Sequence, residues 1–451
     1  MIRIPECLEK KYSKAIKTVR DSKFIRVIGH YDADGISSAA IIYRTLMEDK
    51  KKLHVSFRRE YNRSAIEEYM EGPYDCYIFV DIGASMVPYL ENYAKNGKNI
   101  IIMDHHQSTY DSENIIHVNP HLCGMDGTSE ACGATLSYIF SMLYDEDNWI
   151  MYPSFFAGVL GDRQNIDGYT GLNKLIVEYL ENVKGLNKAI TLSLEGSNVF
   201  EMLMFATDPF LLNITGREQE IKNILKKLRI REDEKFQNLE ENKRNDLISY
   251  ITLHLMKVGI DNDIIKGIIR EKYDVIATSR IYLSDASLSG IIDACGKEES
   301  HSVGLLFLNY PERYLDNALN IWKSYKTKLI EELYYSYENR KELDNLYLLP
   351  VKESSYTGPV AGILITYALP GMKPGIGYFI SNGNVKISAR ATKKMVSEDL
   401  NLGKILGECS AQYAGTGGGH NIAAGATVPE KNFSEFIKCL NLKISESYNK
   451  D

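Results

Sequence analysis

The sequence predicts an α/β protein: an N-terminal domain on a parallel sheet, a helical middle region, and a smaller C-terminal α/β domain. Three observations carry this. From Phe24 to about Gly168, short apolar runs alternate with helical patterns; from about Gly171 to Arg340 the pattern becomes helical and strongly charged; from about Leu346, apolar runs return with Gly- and Pro-containing turns. At roughly 100–200 residues per domain, 451 residues are enough for two or three cores. On these shifts the chain divides at 1–170, 171–345 and 346–451.

Phe24–Gly29, Leu53–Phe57, Cys76–Val80 and Asn99–Met103 read as buried strands, because apolar runs of this length are bounded by Gly, Asp, Lys or Pro. Ile36–Glu48, Ser64–Glu71 and Pro88–Asn96 between them read as helices. Such alternation predicts a parallel sheet covered on both faces, with ligands outside the carboxyl ends of its strands. In Arg217–Asn245, Ile221, Ile224, Leu225 and Leu228 recur at helical spacing among Lys, Arg and Glu, which reads as a helical insert or connector.

Composition narrows the class. With 44% hydrophobic and 25% charged residues, the chain is neither disordered, collagenous nor a small disulfide scaffold. The balance of 53 Lys+Arg against 60 Asp+Glu, net -7, argues against coating nucleic acid by bulk charge and leaves a local basic groove open. The longest apolar stretches, such as Val360–Leu369, fall short of the ~20 residues of a spanning helix. Met1–Arg20 alternates charged and apolar residues like an amphipathic helix and lacks the apolar centre of a signal peptide. Seven scattered cysteines without a C-x-x-C pair fit a reducing compartment and carry no zinc signal. The expectation is a cytoplasmic protein with no membrane association.

The chemistry concentrates where strands end. The first runs into Gly29-His30-Tyr31-Asp32-Ala33-Asp34-Gly35, where a period of two aims His30, Asp32 and Asp34 one way and Gly35 permits an abrupt turn. The third ends in Asp81-Ile82-Gly83, the fourth in Asp104-His105-His106, and a later helix-like run in Gly161-Asp162. A single such Asp is commonly an N-cap or turn residue. Four together on one sheet edge would repel one another unless cations neutralise them. Oxygen-rich ligands with a few imidazoles suit manganese or magnesium better than zinc, and two ions roughly 3.5–4 Å apart serve phosphoester hydrolysis.

HYDADG, VDIG, MDHH and the later GD, in this order, resemble the four motifs of the DHH phosphoesterase superfamily. The form H-x-D-x-D-G-x-x-S-A-A is similar to its RecJ-like nuclease branch, as found in archaea. The resemblance covers roughly the first 170 residues and the last 100. It implies two Mn2+ (or Mg2+) ions per active site, one held by His30, Asp32 and Asp81, the other by Asp34, Asp81, His105 and Asp162. It implies that Asp104 fixes a histidine tautomer, and that His106 faces the scissile phosphate as donor or acid. One departure is His30, where bacterial RecJ proteins usually carry Asp, although other DHH phosphoesterases have His; a neutral imidazole there alters metal preference.

Gly415-Thr416-Gly417-Gly418-Gly419-His420-Asn421 is the second signal. Consecutive glycines let backbone N–H groups approach an anion, and a structural turn is the other reading of the residues themselves. No G-K-[ST] follows, and no dinucleotide fingerprint is present. The resemblance implies a substrate-binding C-terminal domain, in which Gly417, Gly418, Gly419, His420, Arg390 and, more weakly, Ser388 bind substrate phosphate. Arginine suits phosphate through its rigid fork of donors.

Other residues read as packing or turns. His54, His254 and His301 lack acidic neighbours in sequence, and His117 and His121 flank a turn at Asn119-Pro120. Thr128-Ser129-Glu130 reads as a helix start, with a hydroxyl near the cleft on the resemblance; Gln164 and Asn165 could likewise meet a phosphate. Tyr31 and Tyr169 offer base stacking, with core packing as the default.

The resemblance therefore implies an exonuclease acting on single-stranded DNA or RNA in replication or repair, with its cleft between the two α/β domains. It also implies association with GINS, the replicative helicase accessory complex. Two alternatives stand: a DHH phosphodiesterase or phosphatase acting on oligonucleotides or small nucleotides, and a replisome scaffold with reduced activity.

Overall fold

The computed structural model describes residues 4–59, 63–108, 110–166, 168–186, 188–277 and 282–448. An amphipathic helix, α1 (Glu6–Asp21), buries Leu8, Tyr12, Ala15 and Val19. Five strands follow: β1 (Phe24–His30), β2 (Lys52–Arg58), β3 (Cys76–Val80), β4 (Asn99–Met103) and β5 (Ile116–Val118). They are all parallel, in the order β2-β1-β3-β4-β5. β1, β3 and β4 are buried along almost their whole length, as strands covered on both faces must be. The edge strand β2 is only partly buried. β5 is three residues long, too short for an apolar run to reveal it.

Helices α2 (Ala33–Glu48), α3 (Arg63–Tyr69), α4 (Val87–Lys95), α5 (Gly133–Tyr144) and α6 (Tyr152–Gly161) complete this layer. From β1 the chain goes to the sheet edge as β2 and returns to the other side of β1 as β3. The connections therefore diverge at the carboxyl ends of β1 and β3, the place where open α/β sheets form their ligand crevice. Every residue of α2 from Ala33 to Ile42 is buried. Its Ser37, Ser38, Ala39 and Ala40 are small enough for α5 and α6 to pack closely on it.

Two compact units form: Met1–Ile190 with Glu271–Lys323, and Thr191–Arg270 with Ser324–Asp451. The region expected as a helical insert is shared between them. α7 (Gly171–Lys184) and the helices Asp285–Lys297 and His301–Asn309 belong to the first, while Glu218–Lys227 and Glu241–Val258 belong to the second. This region also contains β6 (Lys188–Leu192), β7 (Ile269–Ala277) and β8 (Tyr282–Ser284), which its charge-rich composition conceals. In the second unit, Ile221, Ile224 and Leu225 face a core with Leu247, Ile251 and Leu255.

The C-terminal sheet comprises β9 (Lys341–Glu342), β10 (Tyr347–Pro350), β11 (Gly375–Ser381), β12 (Asn384–Arg390), β13 (Thr416–Gly419) and β14 (Ala423–Pro429). Its order is β13-β14-β12-β11-β10-β9, and only β10 and β11 pair in parallel. Val385, Ile387 and Ala389 alternate inward with Ala424, Ala426 and Val428. The expected α/β class is therefore observed, with a parallel N-terminal sheet and a mixed C-terminal one. Two cysteine pairs that no short motif marks, Cys7–Cys123 and Cys409–Cys439, lie within the first and second units respectively.

His117 on β5 is fully buried, and burial pushes its pKa down to about 4. Between pH 6.5 and 4 the unfolded chain takes up a proton that the folded chain refuses, so stability is lost as pH falls through this window. The difference corresponds to about 3 kcal/mol at the acid end. His117→Leu is expected to flatten the acid-side decline of the first unit's melting temperature; an unchanged decline would contradict this account.

Candidate metal centre

The ends of three strands and one helix supply the site. His30 is the last residue of β1, and Asp32 caps α2, its side chain accepting from Gly35 N at 3.0 Å. Asp34 sits in the first turn of α2, where its oxygens accept from Gly133 N (2.6 Å) and Ala134 N (2.8 Å) at the start of α5. Two N–H groups at a helix N-terminus thus orient this carboxyl. Asp81 follows β3 with φ 57, and its N–H donates to Met103 O at 2.9 Å, which holds the turned backbone. Asp104, His105 and His106 follow β4, and Asp162 ends α6.

These side chains converge. His30 Nδ1 lies 2.8 Å from Asp32 Oδ2 and 3.4 Å from Asp81 Oδ2. His105 Nε2 lies 3.0 Å from Asp162 Oδ2, 3.2 Å from Asp81 Oδ1 and 3.9 Å from Asp34 Oδ2. All six expected ligands, His30, Asp32, Asp34, Asp81, His105 and Asp162, are therefore brought to one place. His106 Nδ1 lies 2.7 Å from Asp104 Oδ1. Asp104 is buried, and its other oxygen accepts from Ala84 N at 2.7 Å. Asp104 thus holds the His106 ring, whose side chain is 52% exposed.

The electrostatics are those of a cation site. Burial, followed by the charges of Asp81 and Asp162, raises the Asp34 pKa well above its ordinary range. Burial and Asp32 raise that of Asp81. Burial disfavours the charged form of His30, but its bond to Asp32 and the charges of Asp32 and Asp81 outweigh it and raise the pKa to about 10. Burial likewise opposes ionisation of Asp32, and the partnership with His30 outweighs it, so its pKa is lowered. Among the described residues, neither oxygen of buried Asp81 has a hydrogen-bond partner of good geometry. An orphaned buried carboxylate amid imidazoles and further carboxylates has the chemistry of a divalent-cation ligand. Groups that could hold an ion are His30, Asp32 and Asp81; Asp81, His105 and His106; and Asp34, Cys132 and Asp162. The residues fit Mn2+ or Mg2+.

Cys132 is the residue that sequence reasoning missed. It immediately precedes the Gly133-Ala134 pair that holds Asp34, and its Sγ lies near Asp34 and Asp162. Other expectations change. Thr128–Glu130 is a turn rather than a helix start, and the Thr128 and Ser129 hydroxyls bond Asp126. Gln164 is buried among backbone carbonyls, which removes it from phosphate contact. Tyr31 borders Asp32 with Arg59 4.3 Å and Lys297 5.5 Å from its ring centre.

In the second unit, Ser388 and Arg390 stand on β12, and Ser388 Oγ meets Thr357 Oγ1 at 2.9 Å. Arg390 is half-buried, and burial lowers its pKa. Among the described residues no carboxylate pairs with it. A Cβ at Gly358 would lie 2.6 Å from Arg390 Nη2, so the glycine leaves room for the guanidinium. His420 is exposed, and Gly418 faces open space. Gly417 instead packs tightly: a Cβ there would meet Ser410 Oγ at 2.7 Å. Gly417 and Gly419 are nonetheless exposed and Gly418 is partly buried, so all three glycines border solvent.

Comparison with known proteins places this geometry. The family described as "DHH family, N-terminal domain" matches residues 24–160, the DHHA1 domain matches 355–446, and the family "Archaeal Cdc45" matches 167–316. An uncharacterised protein of Methanocaldococcus jannaschii is 28% identical over 452 residues, covering 97% of each chain. The crystal structure of Cdc45 from Entamoeba histolytica superposes with TM-score 0.65 at 12% identity, covering 97% of this chain and 98% of that one. Exonuclease RecJ bound to manganese superposes with TM-score 0.57 at 17% identity, covering 99% and 96%. RecJ from Thermus thermophilus in complex with Mn2+ gives 0.51 at 19%, this chain aligning over 99% of its own length and 56% of RecJ. The last three likenesses are of fold. The chain thus carries a segment that matches the DHH N-terminal domain, one that matches the DHHA1 domain and, between them, one that matches the archaeal Cdc45 family.

Proposed function

We propose that this protein is a metal-dependent exonuclease that hydrolyses phosphodiester bonds of single-stranded DNA or RNA from an end, in replication or repair. The observation that carries the reading is Asp81: buried, without a hydrogen-bond partner of good geometry on either oxygen among the described residues, and common to two groups of side chains that could hold an ion. His30, Asp32 and Asp81 hold one ion; Asp34, Asp81, His105 and Asp162 hold the other. Bound there, two Mn2+ or Mg2+ ions supply Lewis acidity and an activated water. The hydrogen bond from His106 to Asp104 raises the imidazole pKa, so the ring keeps a proton to offer an oxygen of the scissile phosphate.

Arg390, Ser388, His420 and the backbone of Gly417, Gly418 and Gly419 bind substrate phosphate. The guanidinium of Arg390 supports this, since a half-buried cation that pairs with no carboxylate among the described residues suits an anionic ligand. Arg390→Ala is expected to raise KM about tenfold or more, with a smaller change in kcat. Equal kcat/KM in variant and parent would remove Arg390 from the site.

The match of 167–316 to the archaeal Cdc45 family favours a second role, association with the replicative helicase through GINS. The full set of ligating residues supports retained activity alongside it. The test is to incubate 5′- and 3′-labelled single-stranded DNA and RNA with Mn2+ and follow the ladder. Stepwise shortening from one end is expected. Cleavage of dinucleotides alone would indicate a small-substrate phosphodiesterase, and no cleavage of any substrate would leave the scaffold.

A further inference from the structure

A metal-ligating imidazole needs its second nitrogen held, because that bond sets the tautomer and the ring direction. His105 Nδ1 lies 2.7 Å from the Gly127 carbonyl. A carbonyl only accepts, so Nδ1 is the donor, and Nε2 is the nitrogen directed at Asp81 and Asp162. The Gly127 carbonyl is held in turn. Gln164 Nε2 donates to it at 2.9 Å and to Ala131 O at 3.2 Å. Because both partners are carbonyls, that atom is the amide nitrogen, and Oε1 must accept.

Asn173 Nδ2 makes that donation at 2.7 Å and also reaches Ser129 O at 3.3 Å. Its Oδ1 accepts from Thr135 Oγ1 at 2.5 Å, while Thr135 Oγ1 accepts from Cys132 N at 3.2 Å. Every donor direction in the row is thereby determined. Gln164 is 6% exposed, and Asn173 and Thr135 are fully buried. The loop has no slack at Gly127, where a Cβ would come within 2.1 Å of His105 O.

We infer that Gln164 and Asn173 are positioning residues for the metal centre. They hold the 127–131 loop so that Gly127 sets the tautomer and direction of His105. The affinity of one ion position then depends on Asn173 of α7, which lies beyond the segment that matches the DHH N-terminal domain. The inference rests on the proposed metal-dependent function.

The experiment uses the full chain with Gln164→Glu, Gln164→Met and Asn173→Asp. Mn2+ binding is followed by calorimetry and electron paramagnetic resonance, with His105→Ala marking the phase that His105 serves. Gln164→Glu sets a carboxylate against two carbonyls, Gln164→Met keeps bulk without donors, and Asn173→Asp removes the donor to Gln164. The His105 phase is expected to weaken about 10–100-fold while the other phase stays put. The 15N shifts of His105 in metal-free protein, recorded at a pH alkaline enough for a neutral ring, should move toward mixed tautomers. Equal weakening of both phases, or a lowered melting temperature with an unchanged isotherm and unchanged shifts, would reduce these amides to a structural tie. If the parent chain binds no Mn2+, the proposed function fails, whereas the His105 shifts still decide this inference.

Discussion

Asp81→Asn is expected to abolish Mn2+-dependent hydrolysis while leaving the metal-free fold close to that of the parent. Asp81 is the residue common to the group on the β1 side, His30 and Asp32, and the group on the β4 side, His105 and His106. Its loss therefore weakens both ion positions together, and a fall in rate on the order of 10³-fold or more follows from losing the charge that clamps the phosphoryl oxygens. Asn has the same shape and accepts the positive φ of 57 at this position better than most residues, so the backbone turn survives. The readout is the melting temperature with and without metal. Parent protein at 100 times the Mn2+ dissociation constant gains about 2.7 kcal/mol. The variant should gain almost nothing, and with EDTA the two should melt within a few degrees of each other. A variant that keeps the Mn2+ shift would remove Asp81 from the centre.

Gly35→Ala is expected to cost several kcal/mol and to remove metal binding. A Cβ there would lie 2.3 Å from His30 O, 2.5 Å from His30 C and 2.6 Å from its Cβ. All three atoms belong to the end of a buried strand, and none is the tip of a flexible side chain. Relief requires β1 and α2 to separate, which displaces His30 and the Asp32 cap together and leaves a core defect of about 3 kcal/mol or more. The expected result is a lowered melting temperature with no Mn2+ shift. Soluble Gly35→Ala protein with parent stability would contradict the close approach.

The same glycine shows how far the sequence could be read. Its place after Asp34 signals a turn, but the structure gives a different reason for it: Gly35 has no positive φ and is needed because α2 lies against the strand end. Asp32 is both the N-cap that its position suggests and a neighbour of His30, so the bland and functional readings hold together. Cys132 escaped because a lone buried thiol has no local pattern. Gln164 was misplaced because an amide beside Asp162 looks available for phosphate until α7 covers it.

By itself the sequence determined the α/β class, the strands ending near Gly29, Val80 and Met103, and the acidic and imidazole side chains that follow them. Such information is local: apolar runs report burial, and a polar residue at the end of a run stands on the sheet edge. Tertiary structure alone decided that β5 joins the sheet, how the charged middle region is shared between two units, and that Gly417 lies close against Ser410. It also decided that Asp34 is held by the start of α5 and His105 by Gly127, contacts about 100 and 22 residues apart in the chain. The physical reason is that a side chain's direction at a loop depends on partners brought in by packing, and spacing along the chain does not encode them.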